Sequence, residues 1–237
     1  MFDMFKTIKE LWGKDNLLVT AYENAFKMLS EGLSMFSESV KSLRESDVGK
    51  IDFNIYDKDI QINKLQRRVR KQIVTHVAVG GYAGSADVAP GLALTSIIID
   101  VERIADYAKN IWELAVAHPK KLQCGPLEQE VSFVEKAVKD KFQRVIDALR
   151  ETDDGAASAI LHDYQEVSKH CDRLVEKLIK DEVGEMSQGD AVATALYIRY
   201  LKRVNGHLTN ITTSVINPFH RIGFQPKEIR DAQRGKK

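Results

Sequence analysis

Cysteine is scarce in this 237-residue chain. Cys124 and Cys171 lie in neither a C-x-x-C nor a Cys/His spacing, which excludes a disulfide framework and a zinc knuckle. Proline is nearly as rare. Pro90, Pro119, Pro126, Pro218 and Pro226 all fall at or beyond the ends of periodic segments, where a missing N–H matters least. Long apolar runs are missing too: stretches such as Ile97-Ile98-Ile99 fall far short of the roughly 20 residues that span a bilayer. The N-terminus alternates apolar and charged residues and lacks the apolar region of a signal peptide. An excess of one charge is also absent. With 35 basic and 34 acidic residues the formal charge is +1, which leaves no bulk field for holding nucleic acid. The expectation is a soluble cytoplasmic protein, at most peripheral at the inner face of the membrane.

What is present is periodicity near 3.6 residues almost throughout, with strand-like alternation nearly absent. This predicts an all-α fold of six long helices, at about 15–46, 50–79, 88–117, 127–151, 155–185 and 189–217. Glycines in the stretch from Gly80 to Asp87 supply a helix stop, and Ser85 or Asp87 an N-cap for the next helix. The same glycines invite a phosphate-loop reading, but the preceding strand and the following Lys-Ser/Thr are missing. His118-Pro119 and Cys124-Gly125-Pro126 mark the clearest boundary. It divides the chain into 1–118 and 119–237, each with three helices. Residues 101–111 and 201–211 also align at a period of 100, with Arg103 and Arg203, Asn110 and Asn210, and Ile111 and Ile211 in register. Ala93 with Ala193 and Ile98 with Ile198 extend the match backwards. Two tandem three-helix bundles follow from this repeat.

On the third helix Leu94, Ile97, Val101, Ile104, Ala105, Ala108, Ile111, Trp112 and Ala115 fall within one arc of about 120°, the core face. Glu102, Asp106 and Glu113 lie on a narrow arc at its edge, with Lys109 among them. Carboxylates one turn apart beside a buried surface repel, so something must offset them. Either a hard cation such as Mg²⁺, Ca²⁺, Mn²⁺ or iron or nearby Arg103, Arg67, Arg68 and Arg70 would do so. Asp59 and Asn63, four apart on the second helix, provide a matching oxygen-rich edge. In the second half Lys202 and Gly206 replace Glu102 and Asp106. Asp163, Glu166, His170 and Asp172 there are better read as salt-bridge partners than as ligands. His76 falls on the apolar face of its helix and reads as a core histidine. No HExxH, nucleophile elbow or Glu-x-x-His pair occurs, so the pattern points away from an enzyme. Phe2, Phe5, Ile8, Leu11 and Trp12 form a short apolar stripe expected to fold onto the bundle. The tail with Lys227, Arg230, Arg234, Lys236 and Lys237 is basic and reads as solvated.

The run Asp100-Val101-Glu102-Arg103-Ile104-Ala105-Asp106-Tyr107-Ala108-Lys109-Asn110-Ile111 resembles the most characteristic stretch of the PhoU family of phosphate-transport regulators. Residues 59–69 resemble that family's second-helix pattern, and 201–211 its second, degenerate copy. The resemblance covers roughly 15–217. It implies a metal site of iron, zinc or magnesium on the Glu/Asp-x-x-x-Asp motif, here Glu102 and Asp106, with Asp59 and Asn63 opposite. At most one cluster is expected, because Lys202 and Gly206 depart from the motif. It further implies a non-enzymatic regulator of phosphate uptake and signalling, an adaptor whose partners are a membrane phosphate transporter, a sensor histidine kinase or both. A homodimer is compatible with the exposed helical faces. Three alternatives stand beside this reading: an accessory protein of a phosphate permease or potassium system on the same fold, a metal-dependent hydrolase, and a metal-free helical module.

Overall fold

The computed structural model describes residues 16–46, 54–80, 88–224 and 226. The apolar stripe from Phe2 to Trp12, the caps Ser85 and Asp87, and the basic tail from Lys227 lie outside the described residues. Every regular element described is helical: α1 (Leu17–Glu45), α2 (Ile55–Gly80), α3 (Val88–Ala117), α4 (Glu128–Glu151), α5 (Asp154–Asp163), α6 (Val167–Ile179) and α7 (Gln188–Ile216), with short 3₁₀ turns at Gly125–Leu127 and Phe219–Arg221.

Polar caps set several boundaries. The Asn16 side chain accepts from the Leu18 N–H at 2.7 Å, Asp153 from Ala156 at 2.9 Å and Ser187 from Asp190 at 3.1 Å, each satisfying a donor that the first helical turn leaves orphaned. The predicted fifth helix, 155–185, is corrected on two counts. It breaks at residues 164–166, where the Tyr164 ring turns inward to α4 and its hydroxyl donates to Asp140. It also ends early. Asp181 adopts a left-handed conformation (φ 56°), and the Glu182 and Asp181 N–H groups return to the carbonyls of Lys177 and Leu178 at 2.9 and 3.3 Å, a Schellman stop made without glycine.

Helices α1, α2 and α3 pack on one another as one bundle, and α4 to α7 form the other, with α5 and α6 together as its middle limb. Helix α3 lies along α7, and α1 reaches α4. A continuous apolar core therefore runs through both bundles, from Leu18 to Ile211. All of the predicted core arc on α3 is buried except Trp112, which is half-buried. His76 is half-buried rather than fully in the core. A Cβ added to Gly91 would meet Ile73 at 3.0 Å, so α2 and α3 close on each other where a side chain would hold them apart.

Candidate functional site

The α2–α3 approach brings the predicted site residues together. Asn63 on α2 donates to Asp59 at 3.3 Å. The Lys109 ammonium, from α3, sits between the helices, 3.2 Å from Asp59 and 3.5 Å from Asp106. Arg103 reaches Asp106 at 3.2 Å and Glu102 at 3.8 Å. Glu102, Asp106, Asp59 and Asn63 thus share one face with two cations. The offset that the acidic spacing required comes from Lys109 across the helix pair as well as from arginine.

Electrostatics follow from this placement. Burial raises the Glu102 carboxyl, and Asp106 and Asp59 raise it further, against the pull of Arg103 and Arg70. Glu102 is the least compensated acid of the group. For Lys109, burial acts to lower the pKa, but the hydrogen bond and charge of Asp59, with Asp106 behind it, hold the ammonium above its ordinary range. The metal centre implied by the resemblance does not fit this donor set as it stands. Among the described residues no three carboxylate, imidazole or thiol groups converge to hold an ion, and Lys109 occupies the space between Asp59 and Asp106. A metal would have to replace that ammonium.

The second half disperses its charges into separate pairs. Lys202 grips Asp172 at 2.5 and 2.6 Å, Arg144 pairs with Asp163 at 2.9 Å, Lys169 with Glu166 at 2.8 Å, and His170 lies 3.4 Å from Glu130. Gly206 faces open space. The four candidates of the predicted fifth helix do not form one cluster.

Three polar constructions escape sequence reading. At the α3–α7 seam, Asp100 accepts from His207 at 2.7 Å and Asn210 at 3.0 Å, while Arg203 donates to the Tyr107 hydroxyl at 3.0 Å and lies over its ring. No spacing links position 100 to 207. Second, Arg44 at the end of α1 bonds to Glu128, to Glu135 at 3.3 Å and to the Leu122 carbonyl at 2.5 Å, and Tyr197 donates to Glu135 at 2.8 Å. Third, Lys141 is fully buried and donates to the Asn205 carbonyl, its side-chain oxygen and the Thr209 hydroxyl at 3.1, 2.9 and 2.6 Å. Burial lowers this amine to about 7. Its signal was available, since Val134, Val138, Lys141 and Val145 share one helical register. Both thiols are held protonated, with burial pushing Cys124 up to about 11 and Cys171 to about 12, which disfavours a nucleophilic role.

Comparison with known proteins agrees with this arrangement. The PhoU domain model matches twice, over residues 26–115 and 134–215. A phosphate-specific transport system accessory protein PhoU homolog from Caulobacter vibrioides is 23% identical over 154 residues, covering 65% of this chain and 66% of that protein. The chain thus matches slightly under two thirds of that relative's length. Among solved structures, PhoU from Pseudomonas aeruginosa superposes with a TM-score of 0.74 at 19% identity, covering 84% of this chain and 95% of the other. The phosphate transport system regulatory protein PhoU from Streptococcus pneumoniae gives 0.72 at 18% identity, covering 84% and 93%. At such identities these structures establish the shared fold.

Proposed function

The chain belongs to the PhoU domain family, and from that premise we propose that it is a non-enzymatic regulator of phosphate uptake and phosphate signalling. It acts as an adaptor on a phosphate transporter, its sensor kinase or both, from the cytoplasmic side of the membrane. The observation that carries this reading is the double family match over both bundles, together with the naming of the Caulobacter relative as a transport accessory protein. Among the described residues no helix is long and apolar enough to cross a membrane, so on this reading the chain reaches a transporter by docking. The acidic face fits a partner-binding or structural role, because its charges are balanced by Lys109 and Arg103 rather than poised for chemistry.

Co-purification of the tagged chain from a detergent-solubilised membrane extract tests the proposal. Recovery of a phosphate importer or its sensor kinase is expected. Recovery of a phosphate permease or potassium system without the importer would move the function to the alternative accessory role. Phosphoester turnover that disappears in Asp106→Ala would contradict a non-enzymatic adaptor. Elemental analysis of the wild type beside Glu102→Gln/Asp106→Asn decides the metal question. Stoichiometric iron, zinc or magnesium lost in the variant would show that an ion displaces Lys109, and none in either form would leave the ion pairs as the whole of the site.

A further inference from the structure

Helix α2 carries a long run of one charge sign. From Ile60 to Gly80 it has no acidic residue and five basic ones, Lys64, Arg67, Arg68, Arg70 and Lys71. Arg70 turns toward the acidic site, where it acts on Glu102. The other four stand at i, i+3, i+4 and i+7 and fall on one exposed face. None of the four forms an ion pair among the described residues; Arg67 donates only to the Asn63 carbonyl at 3.3 Å. By contrast, Lys58, Lys109, Lys120, Arg144, Lys177 and Lys202 all have carboxylate partners. Every neighbouring pair in the stripe is a like-charge contact, which weakens a helix. A helix that gathers four unpaired cations in this way presents a surface complementary to a polyanion.

The stripe continues into apolar surface. Val74 and Val79, toward the end of α2, are 68% and 76% exposed, and Val88 and Leu92 at the start of α3 are 38% and 44% exposed. The close contact of Gly91 with Ile73 puts these residues at the same end of the bundle. A cleft of about 260 Å³ between α1 and α2, lined by Lys27, Lys58 and Lys64 together with Glu31, opens beside the stripe. Cations flanked by exposed aliphatic side chains match an interface of anionic headgroups over hydrocarbon, where the charges attract and the valines enter the boundary.

We propose that the α2 face of Lys64, Arg67, Arg68 and Lys71, with the valines at its end, docks the protein on an anionic lipid surface. Membrane contact would then be made directly by the first bundle, in addition to any protein partner. The inference does not rest on the adaptor reading, because vesicles contain no transporter, so the failure of either leaves the other standing.

Vesicle sedimentation of the full chain tests it, comparing phosphatidylcholine vesicles with vesicles that also contain phosphatidylglycerol. Binding is expected only to the anionic vesicles and is expected to weaken steeply with added salt. Lys64→Gln/Arg67→Gln/Arg68→Gln/Lys71→Gln should reduce partitioning on the order of a hundredfold or more. Its melting temperature should not fall, since the substitutions relieve repulsion, and Arg67→Lys/Arg68→Lys should bind as the wild type does. Wild-type protein that stays in the supernatant would overturn the proposal and leave an acidic protein as the complement of the stripe. Unchanged binding by the quadruple Gln variant would also overturn it, assigning the contact to another part of the chain such as the basic tail.

Discussion

Residues 101–110 on α3 and 201–210 on α7 have the same burial class at every position, yet their chemistry diverges. Val101 and Leu201, Ile104 and Val204, and Ala108 and Leu208 are all buried to the same degree. At the half-buried positions the first copy carries Glu102 and Asp106, and the second Lys202 and Gly206. The repeat has kept the pattern of burial and lost the pattern of charge at 102 and 106. That asymmetry is physical: a change in a core position is felt by the whole packed interior, whereas a charge at the rim is rebalanced by a local partner. Asp59 meets Lys109 in the first half, and Asp172 meets Lys202 in the second. The one interior position that differs in polarity shows the same rule under stricter terms. Ala105 corresponds to Asn205, and the buried amide exists alongside Lys141, whose ammonium it accepts.

The strongest test of the shared pattern is a matched truncation. Ile104→Ala should destabilise by about 3 kcal/mol, with Val204→Ala somewhat less severe. Because one core runs through both bundles, urea unfolding should show a single transition in each case. Two resolved transitions would mean the halves fold separately. Next in size is an exchange of the odd interior pair. Ala105→Asn buries an amide without a partner, and Asn205→Ala removes an acceptor from Lys141, so each should lower the unfolding free energy by about 1–3 kcal/mol. An unchanged midpoint for Asn205→Ala would break the claim that Asn205 and Lys141 are interdependent, and one for Ala105→Asn would show that the first half accommodates the amide without Lys141's counterpart.

A pH dependence sharpens the same point. The unfolded chain holds the Lys141 proton up to about 10.5, while in the folded state burial lowers the amine to about 7. Between these values the unfolded state binds more protons, so this group makes stability rise with pH, and below about 7 the full penalty applies. Lys141→Met should flatten that rise in denaturation midpoints measured from neutral to alkaline pH. The smallest expected effect is Glu102→Gln. Its carboxyl is raised by burial and by Asp106 and Asp59, so the stability it contributes is present at low pH and is lost as pH rises through the carboxylate range. At neutral pH the substitution should change stability by less than about 0.5 kcal/mol, in the stabilising direction. A marked loss would show that Glu102 holds something its protein neighbours do not supply.

Helix positions and the α3 core were legible because burial imposes a 3.6-residue period on composition. The convergence of Asp59 with Glu102 and Asp106 was legible in part: each edge could be read on its own helix, and the second-helix residues were placed opposite the motif. Lys109 was seen on the acidic arc, but its reach to Asp59 depends on how α2 packs along α3. The early end of α6 was missed because Asp181 takes the left-handed conformation usually signalled by glycine. The Asp100–His207 contact joins residues more than a hundred positions apart on different bundles, and no local pattern encodes such a meeting.

Phosphate uptake tests the central claim most directly. In cells of the source organism grown with ample phosphate, deletion of this chain should raise uptake of labelled phosphate, and restoring the wild-type chain should lower it again. Uptake that is unaltered by deletion would contradict the assignment of this double bundle to the control of phosphate transport.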